Sequence, residues 1–328
     1  KKTLSHSCHW SKAMLEKPIT IRSVELKNRL VMAPVSTYTA EDGFVSQRTL
    51  DHYRKRVLNS PTGLVITEHL YIDEGGRAKP GQLSIARDKD IYGLTRLVDT
   101  VHQTHSYIFA QISHAGCKAV PVQESPRVSA SADPASCVIA MTRSDIDKTI
   151  QLFACAAQRA RLSGFDGVEI HAAHGYLLNQ FYSPLTNRRI DAYCAASIES
   201  RTLLHRSIIQ VIRSSVGSDF PIAIRFGACD YTIGGSSISD GVCAATLLAR
   251  SGADLLDISG GLCGYQRPGH EEPGYFQDAA RAIKSQVSVP VLLTGGIKTR
   301  MDAEALLEKN TCDLIGIGRA IQQTRNWL

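Results

Sequence analysis

The 328-residue sequence lacks any run of about 18 consecutive apolar residues, the length a helix needs to cross a bilayer, so no membrane-spanning helix is expected. Residues 1–18 (KKTLSHSCHWSKAMLEKP) hold no apolar core of the kind that marks a secretory leader. The 9 cysteines never form a CxxC pair and are odd in number. In a chain this long that pattern spells neither a disulfide framework nor a zinc knuckle, and free thiols in a reducing cytoplasm are the expectation. Aromatic residues make up only 6%, and no dense Lys/Arg tract is interleaved with them, so neither nucleic acid nor membrane is expected as a partner. The net charge of +6 is mild and spread along the chain. It suits a phosphate-bearing cofactor, and equally an ordinary solvated surface. Internal repeats and linker-like stretches are also absent. A single domain over 1–328 is therefore predicted, with 1–18 as an N-terminal extension and a shortened C-terminal helix.

What the chain does contain is a repeated alternation. Short apolar runs occur at 29–36 (RLVMAPVS), 63–68 (GLVITE), 107–112 (YIFAQI) and 167–170 (GVEI). Four more follow at 221–226 (PIAIRF), 254–258 (DLLDI), 290–293 (PVLL) and 313–317 (DLIGI). Their continuous hydrophobicity fits strands covered on both faces. Amphipathic stretches lie between them at 145–162, 199–215, 240–251, 277–286 and 301–308. Ser163-Gly164 and Ser251-Gly252 supply the glycine that often ends a helix before the next strand. Eight strand–helix alternations predict an α/β fold, a (β/α)8 TIM barrel, rather than an open sheet. The connections at 113–143 and 171–198 exceed what a barrel needs and are predicted to cap its functional face.

In such a barrel the strand ends gather polar groups on one rim. The first strand ends at Pro34, Val35 and Ser36, the third offers Gln111, and the fourth runs into His171, His174 and Tyr176. The fifth ends at Arg225, the seventh at Gly295-Gly296 and the eighth at Gly318-Arg319. Glycine backbone at the last two strand ends lets N–H groups approach a phosphate, and Arg319 adds a guanidinium fork. Buried Arg225 needs a negative partner, and a bound anionic cofactor is the expected one. His171 and His174 admit three readings: satisfied structural histidines, an HxxH metal pair without a third ligand, or oxyanion donors beside Tyr176 as proton source.

The segment 171–189 (HAAHGYLLNQFYSPLTNRR) resembles the signature of the old yellow enzyme family of FMN-dependent NAD(P)H oxidoreductases. Residues 28–38 (NRLVMAPVSTY), 63–68, 110–116 (AQISHAG) and 317–320 (IGRA) resemble family motifs in the same order. The resemblance implies FMN as cofactor and NADPH or NADH as reductant, with Pro34, Val35, Ser36 and Gln111 along the flavin. It places Arg225 near the flavin N1/O2 edge and Gly295, Gly296, Gly318 and Arg319 at the phosphate. His171 and His174 would grip a substrate carbonyl oxygen, and Tyr176 would donate the proton. The implied partner is a small electrophilic substrate, an α,β-unsaturated carbonyl compound; a homo-oligomer is compatible with it.

The chain departs from the family pattern at three places. Asp191-Ala192-Tyr193 continues into Cys194-Ala195-Ala196 where the family has glycines, little sequence follows Arg319, and His69 stands where small residues are common. Three other readings compete. A dienoyl-thioester reductase would be expected to carry clustered cysteines beyond the barrel. A flavin-free lyase or isomerase would lean on Glu68 or Asp257 as its base. A non-catalytic FMN-binding barrel would have no use for Tyr176 and both histidines.

Overall fold

The structure is a computed structural model, and it describes residues 13–60, 62–122 and 126–323. Eight parallel strands close on themselves: β1 (Leu30–Met32), β2 (Leu64–Ile66), β3 (Tyr107–Ser113), β4 (Gly167–Ala172), β5 (Ile222–Cys229), β6 (Leu255–Gly260), β7 (Val291–Thr294) and β8 (Leu314–Ile317). Each pairs with its successor, and Ile315–Ile317 of β8 pairs with Leu30–Met32 of β1, which closes the ring. All eight predicted strands are present, so the barrel expectation holds.

Among the described residues the helices that follow the strands are α1 (Gln47–Asn59), α2 (Ile91–His102), α3 (Arg143–Leu162), α4 (Leu203–Val216), α5 (Ile238–Arg250), α6 (Gln277–Lys284), α7 (Arg300–Glu308) and α8 (Arg319–Gln323). Capping boxes start three of them, from Thr142 with Asp145, Ser237 with Asp240 and Thr299 with Asp302. Gly164 and Gly252 take positive φ of 88° and 109°, ending α3 and α5 as the sequence indicated. The predicted helix 199–215 is instead two, Ile198–Arg201 and α4, because the chain turns at Thr202. The residues beyond Gln323, where the shortened last helix was expected to end, lie outside the described part, as do residues 1–12.

Inward-facing residues recur every second position along a strand and stack in layers. The apolar cluster at the lower end of the interior holds Val31, Leu64, Ile66, Phe109, Ala223, Leu255, Leu292 and Leu314. Gly167 completes it without a side chain, since a Cβ there would stand 2.6 Å from the Phe109 ring. The hairpin Ile19–Ile21 and Val24–Leu26 closes this end, placing Ile21, Val24 and Leu26 in the same cluster. One step along β3, β4, β5, β6 and β7 the interior changes character, to Gln111, Glu169, Arg225, Asp257 and Thr294. The larger apolar cluster fills the space between strands and helices.

Candidate active site

A cavity of about 670 Å³ opens at the C-terminal ends of the strands, a size ordinary for a cofactor pocket. Its wall holds every site residue predicted from the sequence. Pro34, Val35 and Ser36 follow β1, Gln111 comes from β3, and Arg225 from β5. Gly295 and Gly296 follow β7, and Gly318 and Arg319 follow β8. His171 ends β4, with His174 and Tyr176 in the turn beyond it.

That turn brings three rings together. His171 lies 4.9 Å from His174 and 4.9 Å from Tyr176 by ring centroids. His174 takes a positive φ of 60°, and its N–H donates to the Gly260 carbonyl at 3.2 Å. Gly175 N–H donates to Asn179 Oδ1 at 2.7 Å, and Gln180 Nε2 donates to the Gly175 carbonyl at 2.8 Å, holding the turn. Ala173 N–H donates to His171 Nδ1 at 3.3 Å, and His174 Nε2 lies 2.8 Å from Ser259 Oγ. Burial, then neighbouring positive groups and rings, holds both histidines neutral, well below their ordinary pKa. Burial also pushes the Tyr176 phenol up to about 12, so it keeps its proton at neutral pH.

Beneath these rings sits a buried charge cluster. Arg225 Nε and Asp257 Oδ2 lie 3.3 Å apart, without the alignment of a hydrogen bond, so each keeps bonding capacity. The negative partner expected for Arg225 was a bound anionic cofactor; the neighbouring rung of β6 supplies a carboxylate as well. Gln111 Nε2 donates to Glu169 Oε2 at 2.6 Å, and Glu169 Oε1 has no partner. Burial, with Asp257 nearby, raises the Glu169 pKa to about 8; burial raises Asp257 to about 6. Both carboxyls are thus drawn toward their protonated forms, Glu169 by burial and by the neighbouring Asp257, while Arg225 draws Asp257 back toward the anion.

The two carboxylates weighed as possible lyase bases do not line the cavity. Asp257 is occupied as described, and Glu68 clamps the segment after β1. It accepts from Thr37 N–H at 3.0 Å and from the Thr37 hydroxyl at 2.7 Å. Among the described residues no cluster of His, Cys, Asp and Glu could hold a metal ion.

The model of the NADH:flavin oxidoreductase / NADH oxidase family matches residues 14–328. The chain belongs to this family. Its cofactor is FMN, with NADH or NADPH as reductant. The chain is 36% identical to an NADPH dehydrogenase of Halalkalibacterium halodurans, over 94% of this chain and 90% of that protein. It is 35% identical to an NADH oxidase of Thermoanaerobacter brockii, over 94% of this chain but only 49% of that protein. It thus spans about half the length of the latter relative. The solved structure of the old yellow enzyme homologue from Zymomonas mobilis superimposes with a TM-score of 0.80 at 25% identity, covering 93% of this chain and 88% of that one.

The residues of this old yellow enzyme barrel fit FMN. Gly295 and Gly296 have φ of +136° and +67°, and a Cβ on either would strike the Tyr275 ring. A Cβ on Gly318 would stand 3.3 Å from Val35. The missing side chains make room for Tyr275 and Val35, and the same glycines line the cavity with Arg319, Gln111 and Arg225, whose buried Nε is unpaired. The sequence reading overlooked the loop after β6, which adds Tyr265, Gln266, His270, Glu271 and Tyr275 to the wall. Tyr275 hydroxyl donates to the Tyr265 carbonyl at 2.6 Å, and Arg319 lies over the Tyr265 ring at 5.9 Å. The tyrosines in that loop were its one visible signal. The rewritten segment 191–197 contains no residue of positive φ and none of the cavity wall. Asn187 Nδ2 donates to the Phe181 and Tyr193 carbonyls, at 2.7 Å each, and ties the segment to the helix before it.

Proposed function

We propose that this protein reduces the activated C=C bond of α,β-unsaturated carbonyl compounds at the expense of NADPH or NADH. FMN, when bound, supplies the hydride chemistry; this chain supplies orientation, electrostatics and a proton. The observation that carries the reading is the His171–His174–Tyr176 cluster on the wall shared with Arg225 and the glycine loops. Neutral imidazole N–H groups from His171 and His174 bond the substrate's carbonyl oxygen and stabilise negative charge that develops on it. Tyr176, protonated at neutral pH, delivers a proton to Cα. Arg225, with Asp257 beside it, would offer positive charge to the flavin and Gln111 a hydrogen bond, Pro34, Val35 and Ser36 would line its ring system, and Gly295, Gly296, Gly318 and Arg319 would hold the phosphate.

Purified protein is expected to be yellow and to bleach anaerobically on addition of NADPH or NADH. Stopped-flow measurement of Tyr176→Phe is expected to show re-oxidation by 2-cyclohexenone slowed about 100-fold or more, in the usual range for a lost general acid, with reduction by the nicotinamide spared. Equal loss in both half-reactions would remove Tyr176 from the proton-donor role.

A further inference from the structure

His69 follows β2 in the segment where the sequence departs from its family pattern. It is buried, lines the same cavity, and stacks on Tyr176 with ring centroids 5.5 Å apart and planes 26° apart. The His171 ring stands 6.0 Å away, so the His69, His171 and Tyr176 rings form a compact triangle. A third imidazole thus joins the two that the proposed reaction uses.

Its tautomer follows from its neighbours. Ala78 N–H donates to Gln82 Oε1 at 2.7 Å, which fixes the orientation of that amide. Gln82 Nε2 is then the donor, to the His69 carbonyl and to His69 Nδ1, both at 3.1 Å. A ring that accepts at Nδ1 is neutral and carries its hydrogen on Nε2. Burial, with Arg225 and Lys79 nearby, lowers the His69 pKa to about 4, which agrees. Nε2 has no protein partner among the described residues, yet it is not sealed from the cavity.

A ketone oxygen has two lone pairs, and N–H groups of His171 and His174 are enough to fill both. The His69 N–H is left without an acceptor unless the substrate brings a second oxygen. We propose that His69 is a specificity-determining residue, a third hydrogen-bond donor that selects substrates whose activating group carries two acceptor oxygens, a carboxylate first among them. The cations around the three rings favour the same choice: Lys118 Nζ donates to the His174 carbonyl at 2.7 Å, and Lys79 lies over the Tyr38 ring of the cavity wall at 5.4 Å. The proposal rests on His171 and His174 being the oxygen-binding pair of the proposed function.

The test compares benzoate with benzaldehyde, which share a ring and differ in the second oxygen. Both are titrated into the oxidised FMN-loaded protein and followed by the flavin absorbance change, so no turnover is needed. His69→Leu is expected to weaken benzoate about tenfold, the loss typical of one charge-assisted hydrogen bond, and benzaldehyde less than threefold. His69→Gln, which restores an N–H donor, is expected to recover benzoate binding to within threefold of the parent. Equal weakening of both ligands would assign His69 to packing beneath Tyr176 and overturn the proposal. Unchanged benzoate binding, or no benzoate binding by the parent, would overturn it too. If the leucine variant does not fold, Gln82→Met releases the tautomer and is expected to weaken benzoate selectively by about threefold, a fraction of that single bond. Failure of 2-cyclohexenone to re-oxidise the reduced parent would count against the proposed reaction and leave these titrations standing.

Discussion

Glu169 on β4 and Asp257 on β6 flank Arg225, which lies on β5 between them. Both carboxyls have folded-state pKa values above those of an unfolded chain, at about 8 and about 6. Between roughly pH 4 and pH 8 the folded protein therefore binds more protons than the unfolded one, and stability falls as pH rises through that window. Each carboxyl contributes a slope of at most about 1.4 kcal/mol per pH unit. Glu169→Gln keeps the contact with Gln111 and removes one titration. Urea unfolding of the holoprotein at pH 5.5 and 8 should give a smaller stability loss in the variant than in the parent. An identical loss in both would show that Glu169 does not hold its proton.

Among the connecting elements, the turn after β7 constrains sequence tightly. Gly296 sits at a φ of +67°, with the Glu272 carbonyl and the Tyr275 ring 2.8 Å from where a Cβ would stand. Gly296→Ala is expected to cost about 1–3 kcal/mol in backbone strain and contact, and to weaken FMN retention because Tyr275 must move. Thermal melting and FMN release on dilution measure the two effects separately. Helices α1 and α2 were not foreseen, and their residues explain why. The buried positions of α1 are Thr49, Leu50, Tyr53 and Val57, so half of its core face is not aliphatic. Helix α2 has a glycine, Gly93, within its first turn.

Across the whole molecule, the stabilising floor and the reactive rim lie at opposite ends of the barrel. Leu26 of the N-terminal hairpin is fully buried in the lowest interior layer. Leu26→Ala is expected to destabilise by about 2–5 kcal/mol, the cost of a buried leucine cavity. FMN affinity of the folded protein should remain within a few-fold of the parent. Lost FMN affinity at unchanged stability would mean that the floor shapes the cavity, against this separation of roles. Among the described residues no helix is long and apolar enough to cross a membrane, in keeping with the lack of long apolar runs.

Local pattern alone determined the eight strands, the helix ends at Gly164 and Gly252, and the strand-end residues of the rim from Pro34 to Arg319 named at the outset. Strand hydrophobicity, glycine stops and strand-end polarity are short-range signals that survive in one dimension. Three things waited for the tertiary structure. Asp257 became the neighbour of Arg225 only when β5 and β6 paired in register. Residues from Tyr265 to Tyr275 joined the wall only when their loop folded back over β7 and β8. His69, an isolated histidine in the sequence, took its place beside Tyr176 because β2 and β4 end on the same rim. Each of these depends on contacts between distant strands, and the closure of a barrel is the event that creates them.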